Sequence, residues 1–308
     1  MAIRVASPAA TAGTTSSGIA IQRWRWLTTL VRYLLMTVLG VIFLFPIVFM
    51  LVSSLKPDLQ ILQDSASLRA FLPVGELSLD NYREAFTRVP TARFVFNSVL
   101  VTTITVLLGL LVNSMAGFSL ACMQWRGQNL VLLLIIATLI VPFETIAIPL
   151  LLIVSKLPWI GPAGLQWGWF NTYHVQIIPF VAGAFSIFLF VQFFKSLPKE
   201  LIEAARLDGA GWFQIYRSVF VPISGPVFAT VTILTFLGKW NDYLWPIMVI
   251  QVEELRPIMV GLQYFFQLNV AWGEIMAYLS TITIPVLLLF LVLQRAFIES
   301  IAASGIKG

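Results

Sequence analysis

The residues of this sequence that could do chemistry are few, and most of them sit in apolar surroundings. Lys239 and Asp242 lie three positions apart in one apolar stretch, and Glu144 lies between Pro142 and Pro149 in another. A charge at the centre of a bilayer costs about 2.5–3.5 kcal/mol on the insertion scale unless it is paired or wet, so such groups face protein or water. Lys239 and Asp242 fall on neighbouring positions of one helix face and can neutralise each other, either as a structural pair or as part of a path for a polar solute. Glu144 falls on a helix that two prolines kink by freeing backbone carbonyls, which makes it a wall of such a path or a packing contact to a partner. Asn97, Asn113, Asn241 and Tyr243 add neutral hydrogen-bonding groups, and Trp240 adds an aromatic face. A hydroxylated solute could use both, although asparagines also join helices to one another at about 0.6 kcal/mol each.

Other chemistries find little support. One cysteine, Cys122, allows no intramolecular disulfide, and one histidine, His174, leaves no His/Cys cluster for zinc. His174 is expected at a membrane boundary as an interfacial, hydrogen-bonded group rather than a catalyst. No G-x-x-x-x-G-K-[ST] phosphate loop occurs: Gly238-Lys239 stands inside an apolar run, and the position five before Gly238 is Ile233. Neither a nucleotide bound through that motif nor a metal is expected on this chain, and no nucleic acid is expected as a partner, because the Lys and Arg residues flank apolar runs instead of forming a patch.

The elements that must hold these residues are membrane spans. The chain has 308 residues, of which 59% are hydrophobic and 11% charged, with mean hydropathy +0.91. That composition leaves too little polar surface for a soluble domain of this size. The apolar residues come in long runs, several of them near the roughly 20 residues a helix needs to cross about 30 Å of hydrocarbon. Six spans are expected, at about 27–55, 94–120, 130–154, 175–194, 226–250 and 274–297. Residues 1–22, rich in Ala, Ser, Thr and Gly, read as a disordered tail, and 23–308 as one all-α transmembrane domain. Arg23 and Arg25 precede the first span and Arg32 lies near its start, so the positive-inside rule places the N-terminus in the cytoplasm, and an even number of spans returns the C-terminus there.

The longest polar interruption in the C-terminal half is Lys195 to Pro222. Pro198 can open a short helix, and the stretch from Gly209 to Gly211 can break it before a second helix that ends near Pro222. Two short amphipathic helices on the membrane face result, which by itself is also the form of an ordinary interfacial loop.

The residues of this loop resemble the EAA signature of permeases in binding-protein-dependent ABC importers. Glu203-Ala204-Ala205 is followed after three residues by Gly209, after nine more by Val219, and then by Val221 and Pro222. Val219 and Val221 stand where the family prefers Ile and Leu. Further residues are similar to the carbohydrate branch, of the type of the smaller maltose-importer permease. They are Asn97-Ser98, Val141-Pro142, Ile148-Pro149, Asn171-Thr172-Tyr173, Asp208-Gly209-Ala210, the stretch Trp240 to Pro246, and the C-terminal Ser304 to Gly308.

The resemblance implies a type I ABC importer permease fold in the bacterial inner membrane. It implies a second permease subunit, two ATPase subunits that bind ATP and Mg²⁺, an extracytoplasmic solute-binding protein, and a sugar or sugar derivative as cargo. Residues 195–222 become a cytoplasmic coupling loop, in which Glu203, Ala204, Ala205, Asp208, Gly209 and Pro222 meet the ATPase. Relatives of this branch carry disaccharides, glycosides and glycerol phosphate esters. A secondary transporter and an intramembrane enzyme are the competing classes; the first lacks a visible inverted repeat here, and the second lacks its nucleophile and base.

Overall fold

The computed structural model describes residues 16–161, 164–266 and 270–305. The first helix, α1 (Ser16–Ser53), begins inside the segment expected to be a tail, so a boundary at 22/23 falls within a helix. Residues 1–15 of that segment, and 306–308 of the C-terminal similarity, lie outside the described residues. Two short helices, α2 (Asp58–Asp64) and α3 (Asp80–Arg88), lead to the long α4 (Thr91–Cys122). Next come α5 (Gln128–Thr138) and α6 (Phe143–Val154), a two-stranded antiparallel hairpin of β1 (Pro158–Gly161) and β2 (Gly164–Trp167), then α7 (Tyr173–Ile177) and α8 (Ala184–Ser196).

The polar loop holds α9 (Glu200–Leu207), α10 (Trp212–Ile215), a π-helical turn Tyr216–Phe220 and α11 (Val221–Ile223). The chain finishes with α12 (Gly225–Trp240), α13 (Leu244–Val249), α14 (Ile258–Gly261) and α15 (Trp272–Gly305).

Among the described residues, four helical stretches are long and apolar enough to cross a membrane, Trp26–Ser53, Thr91–Cys122, Tyr173–Ser196 and Trp272–Gln294, or up to six if each of two bent pairs is one span. One pair is α5 with α6, bent by 105° where Pro142 stops the backbone ladder. The other is 212–223 with α12, bent by 82°. The run expected as a single span over 226–250 is divided. Its helix ends at Trp240, three residues turn, and α13 starts afresh at Leu244, because apolar character continues past the point where Asn241 and Asp242 end the backbone ladder.

The hub is α4, which packs against α8 and α12, while α12 also packs against α15. Close approach comes from small residues on α4. A Cβ on Gly117 would stand 2.5 Å from Cβ of Phe190 on α8, a separation no real pair adopts. In contrast, the apolar stretch of α1 buries nothing within the chain until it nears Ser53, where Phe71 folds its ring to 4.5 Å from that of Phe45.

Candidate functional site

Local chemistry shapes the polar segment 195–222. After α8 ends at Ser196, Pro198 and Lys199 turn the chain, and α9 carries Glu203, Ala204 and Ala205. It stops at Gly209, whose φ of +82° lies in the left-handed region that suits glycine. The Gly209 N–H donates to Arg206 O at 3.0 Å and the Ala210 N–H to Ala205 O at 2.9 Å, the paired bonds of a Schellman end. Glu203, Ala204, Asp208 and Gly209 are exposed, and beside them Leu207 is 89% and Phe213 63% exposed.

Beneath this exposed edge the segment is anchored in aromatic packing. Ile215, Tyr216 and Phe220 are buried with Phe118 of α4, Phe190 and Phe194 of α8, and Val227 and Val231 of α12. The Phe118 ring sits 5.0 Å from Phe220 and 6.1 Å from Phe194, both edge-on, geometries that add to the burial of the rings. Ala205 and Trp212 pack on the margin of this cluster, and Arg206 lies 4.5 Å over the Trp212 ring, tying α9 to α10 across the glycine turn. Pro222 stands in the last helical turn before the 82° bend. There the Ser224 hydroxyl donates to Phe220 O at 2.6 Å. A push on the exposed edge therefore bears directly on α4, α8 and α12.

The second group of residues lies along α12 and its exit. Lys239 Nζ donates to Asp242 Oδ2 at 2.6 Å, and the ammonium sits 3.7 Å over the Phe180 ring. The pair forms as its spacing suggests, but across the end of α12, since Asp242 lies beyond the last helical residue. Asn241 is exposed and donates to Leu237 O at 2.8 Å, and the Tyr243 hydroxyl bonds Gln263 Oε1 at 2.9 Å. Glu144 is exposed in the first turn of α6, directly after the break at Pro142.

Three other polar candidates spend their atoms on the fold. Asn97 is fully buried: its amide donates to Glu254 O and Arg256 O at 2.8 and 2.9 Å, and its oxygen accepts from the Tyr173 hydroxyl at 2.8 Å. Asn113 donates to Val181 O at 3.0 Å and accepts from Gly183 N at 2.9 Å, holding the unwound link before α8. Trp240 is buried, stacked on Phe236 at 5.4 Å, and its indole N–H donates to Ile282 O on α15 at 3.1 Å.

Comparison with known proteins fits this architecture. Residues 113–302 match the model of the family described as "Binding-protein-dependent transport system inner membrane component". The arabinooligosaccharides transport system permease protein AraQ of Halalkalibacterium halodurans is 32% identical over 86% of this chain and 91% of its own. The lactose transport system permease protein LacG of Rhizobium radiobacter is 30% identical over 91% and 97%. The chain belongs to this permease family. A chain of a bacterial ABC transporter involved in the import of the acidic polysaccharide alginate superposes with a TM-score of 0.74 over 89% of this permease and 98% of that chain, at 22% identity. It bears on the fold, which is that of an ABC importer permease.

Some features of the permease had no sequence signal. His174, expected to be hydrogen-bonded at a boundary, instead stands between Trp159 at 4.8 Å and Trp169 at 5.0 Å, and its Nε2 has no hydrogen-bond partner among the described residues. The β1–β2 hairpin that carries Trp159 was not expected in an all-α chain; Gly161 and Gly164 at its tip were the only hint. A buried ion pair between Lys56 Nζ and Asp64 Oδ2, 2.9 Å long, was also missed, because both residues look like ordinary loop charges.

Proposed function

We propose that this permease carries a sugar or sugar derivative, an oligosaccharide or glycoside, across the inner membrane, driven by separate ATPase subunits that seat on residues 195–222. The observation that carries this reading is the contrast within that segment. Glu203, Ala204, Leu207, Asp208 and Phe213 stand exposed, while Ile215, Tyr216 and Phe220 lock the same short segment into three spans. An exposed Leu beside small residues is the surface of a helix that fits a groove, and a rigid anchor is what passes on a rigid-body motion. The sugar cargo follows from the carbohydrate transport named for AraQ and LacG.

In this reading the assembly holds a second permease, two ATPase subunits that bind ATP and Mg²⁺, and an extracytoplasmic solute-binding protein. The chain itself binds no nucleotide, and both of its termini lie in the cytoplasm. The polar groups left on the path are Glu144, Asn241, Asp242 and Tyr243, with Asn97, Asn113 and Trp240 supporting the helices around it.

The test is a single cysteine at position 207 in a Cys122→Ser background. A membrane-impermeant maleimide is expected to label Leu207→Cys only from the cytoplasmic side, and the bound ATPase is expected to block the label. Leu207→Asp should release the ATPase during purification while the permease stays in the membrane. Labelling of position 207 from outside would end the coupling assignment.

A further inference from the structure

A cavity of about 340 Å³ opens beside the Lys239–Asp242 pair, walled by Thr105 of α4, Phe143 of α6, Phe180, and Thr235, Gly238, Lys239 and Asp242 along and just past α12. Its size falls near the lower end of the roughly 300–1,000 Å³ of small-molecule sites. Lys239 lies fourteen residues past Gly225, about 21 Å along the helix at 1.5 Å per residue, so in the reading that starts a span of about 30 Å at Gly225 the cavity lies about two-thirds of the way across. Gly238 and Asn241 are exposed at this depth, next to an ion pair. Lipid does not accept such a surface, so this side of α12 faces water or a partner subunit.

The groups around the cavity suit one kind of ligand. The Lys239 ammonium is matched by Asp242 Oδ2, which leaves the site electrically balanced. Asp242 Oδ1 remains an acceptor, and the Thr235 hydroxyl makes no hydrogen bond among the described residues. Thr105 is fully buried, its Oγ1 proton given to Val101 O at 2.7 Å, and it contributes wall and no ligand contact. Phe143 and Phe180, with ring centroids 5.6 Å apart, present apolar faces. One hydroxyl and one carboxylate oxygen beside two aromatic faces match a sugar ring, which has hydroxyls at its rim and C–H groups on its faces. An anionic solute would meet Asp242 and would have to take Lys239 away from it.

We propose that this cavity is a subsite on the translocation path that takes one neutral, hydroxyl-bearing sugar ring and disfavours anionic solutes. The proposal rests on the sugar-import reading above.

Gly238 makes it testable, because it lines the cavity and a Cβ there meets nothing within 4 Å, so a side chain can be added at its edge without a clash at the first carbon. The complete transporter, with its partner permease, ATPases and binding protein, is reconstituted in proteoliposomes. It is probed with lactose, arabinotriose and a panel of neutral glycosides, and with glycerol 3-phosphate. Gly238→Leu is expected to lower initial uptake of the neutral probe the wild type carries by about tenfold or more, with the ATPase still co-purifying. Thr235→Val, isosteric and free of any internal bond to lose, is expected to raise KM for that probe and leave kcat alone. Asp242→Asn, which unmasks the Lys239 charge, is expected to raise the ratio of glycerol 3-phosphate to neutral uptake by about tenfold. Wild-type rates in an assembled Gly238→Leu complex, or an unchanged KM in Thr235→Val, overturn the subsite and leave sugar import standing. A wild-type transporter that rejects every neutral glycoside and carries glycerol 3-phosphate overturns both.

Discussion

Ser114 and Tyr216, 102 positions apart, share a hydroxyl–hydroxyl hydrogen bond of 2.7 Å that joins the C-terminal third of α4 to the loop segment. Ser114 also donates toward Leu110 O at 2.5 Å and Leu111 O at 3.2 Å, so one small side chain links the loop to the backbone of a span. Tyr216→Phe keeps the ring contacts with Phe118 and Phe213 and removes only the hydroxyl. It is expected to cost about 0.5–1.5 kcal/mol, the net worth of one such bond. Tyr216→Ala also removes the ring and is expected to cost about 3–5 kcal/mol, as other large-to-small aromatic truncations do. Thermal aggregation of the detergent-solubilised protein, followed by fluorescence-detected size exclusion, should rank wild type above Tyr216→Phe and Tyr216→Phe above Tyr216→Ala. Equal midpoints for the two variants would show that the ring contributes nothing.

Gly209 isolates backbone strain from crowding. Its φ is +82° and no atom lies within 4 Å of where a Cβ would be, so a substitution meets a conformational cost and no clash. That cost is about 1–2 kcal/mol for most L-residues and smaller for Asn, which visits the left-handed region more readily. Uptake and ATPase retention are expected to fall in the order Gly, Asn, Ala, Val at this position. Val performing as well as Asn would show that the glycine turn does not set the geometry of the docking edge.

Asp64 gives a pH dependence with a defined sign. The hydrogen bond from Lys56 holds its carboxyl below the ordinary value of 3.8, outweighing the opposing effect of burial. A carboxyl lowered on folding adds stability that is complete above its unfolded value and is lost as pH falls through the lower folded value. The difference in thermal midpoint between the wild type and Asp64→Asn should therefore be flat from neutrality down to about pH 5 and shrink below about pH 4. At neutral pH Asp64→Asn is the less stable, because Lys56, only 1% exposed, loses its anionic partner. A difference that persists undiminished below pH 3 would assign the loss to packing instead of charge.

Much of the architecture is legible in composition, because long apolar runs have no other stable home than a bilayer. The apolar runs do not say where a helix ends. The run at 226–250 hid a stop at Trp240, and the 105° bend between α5 and α6 was foreshadowed only by Pro142. The polar candidates divide for a similar reason. Asn97, Asn113 and Asn241 all look alike in sequence as amides in apolar surroundings, yet Asn97 and Asn113 hold backbone groups from distant elements while Asn241 stays exposed.

The sequence alone determined the membrane class and the helix–glycine–helix form of residues 195–222, because hydropathy, proline and glycine act over a few neighbouring residues. Only the tertiary structure decided that Phe118, Phe194 and Phe220 meet beneath that segment, and that Phe180 comes to lie under the Lys239 ammonium. Those meetings join residues far apart in the chain, and which of many apolar faces come together depends on shape and close packing over the whole bundle.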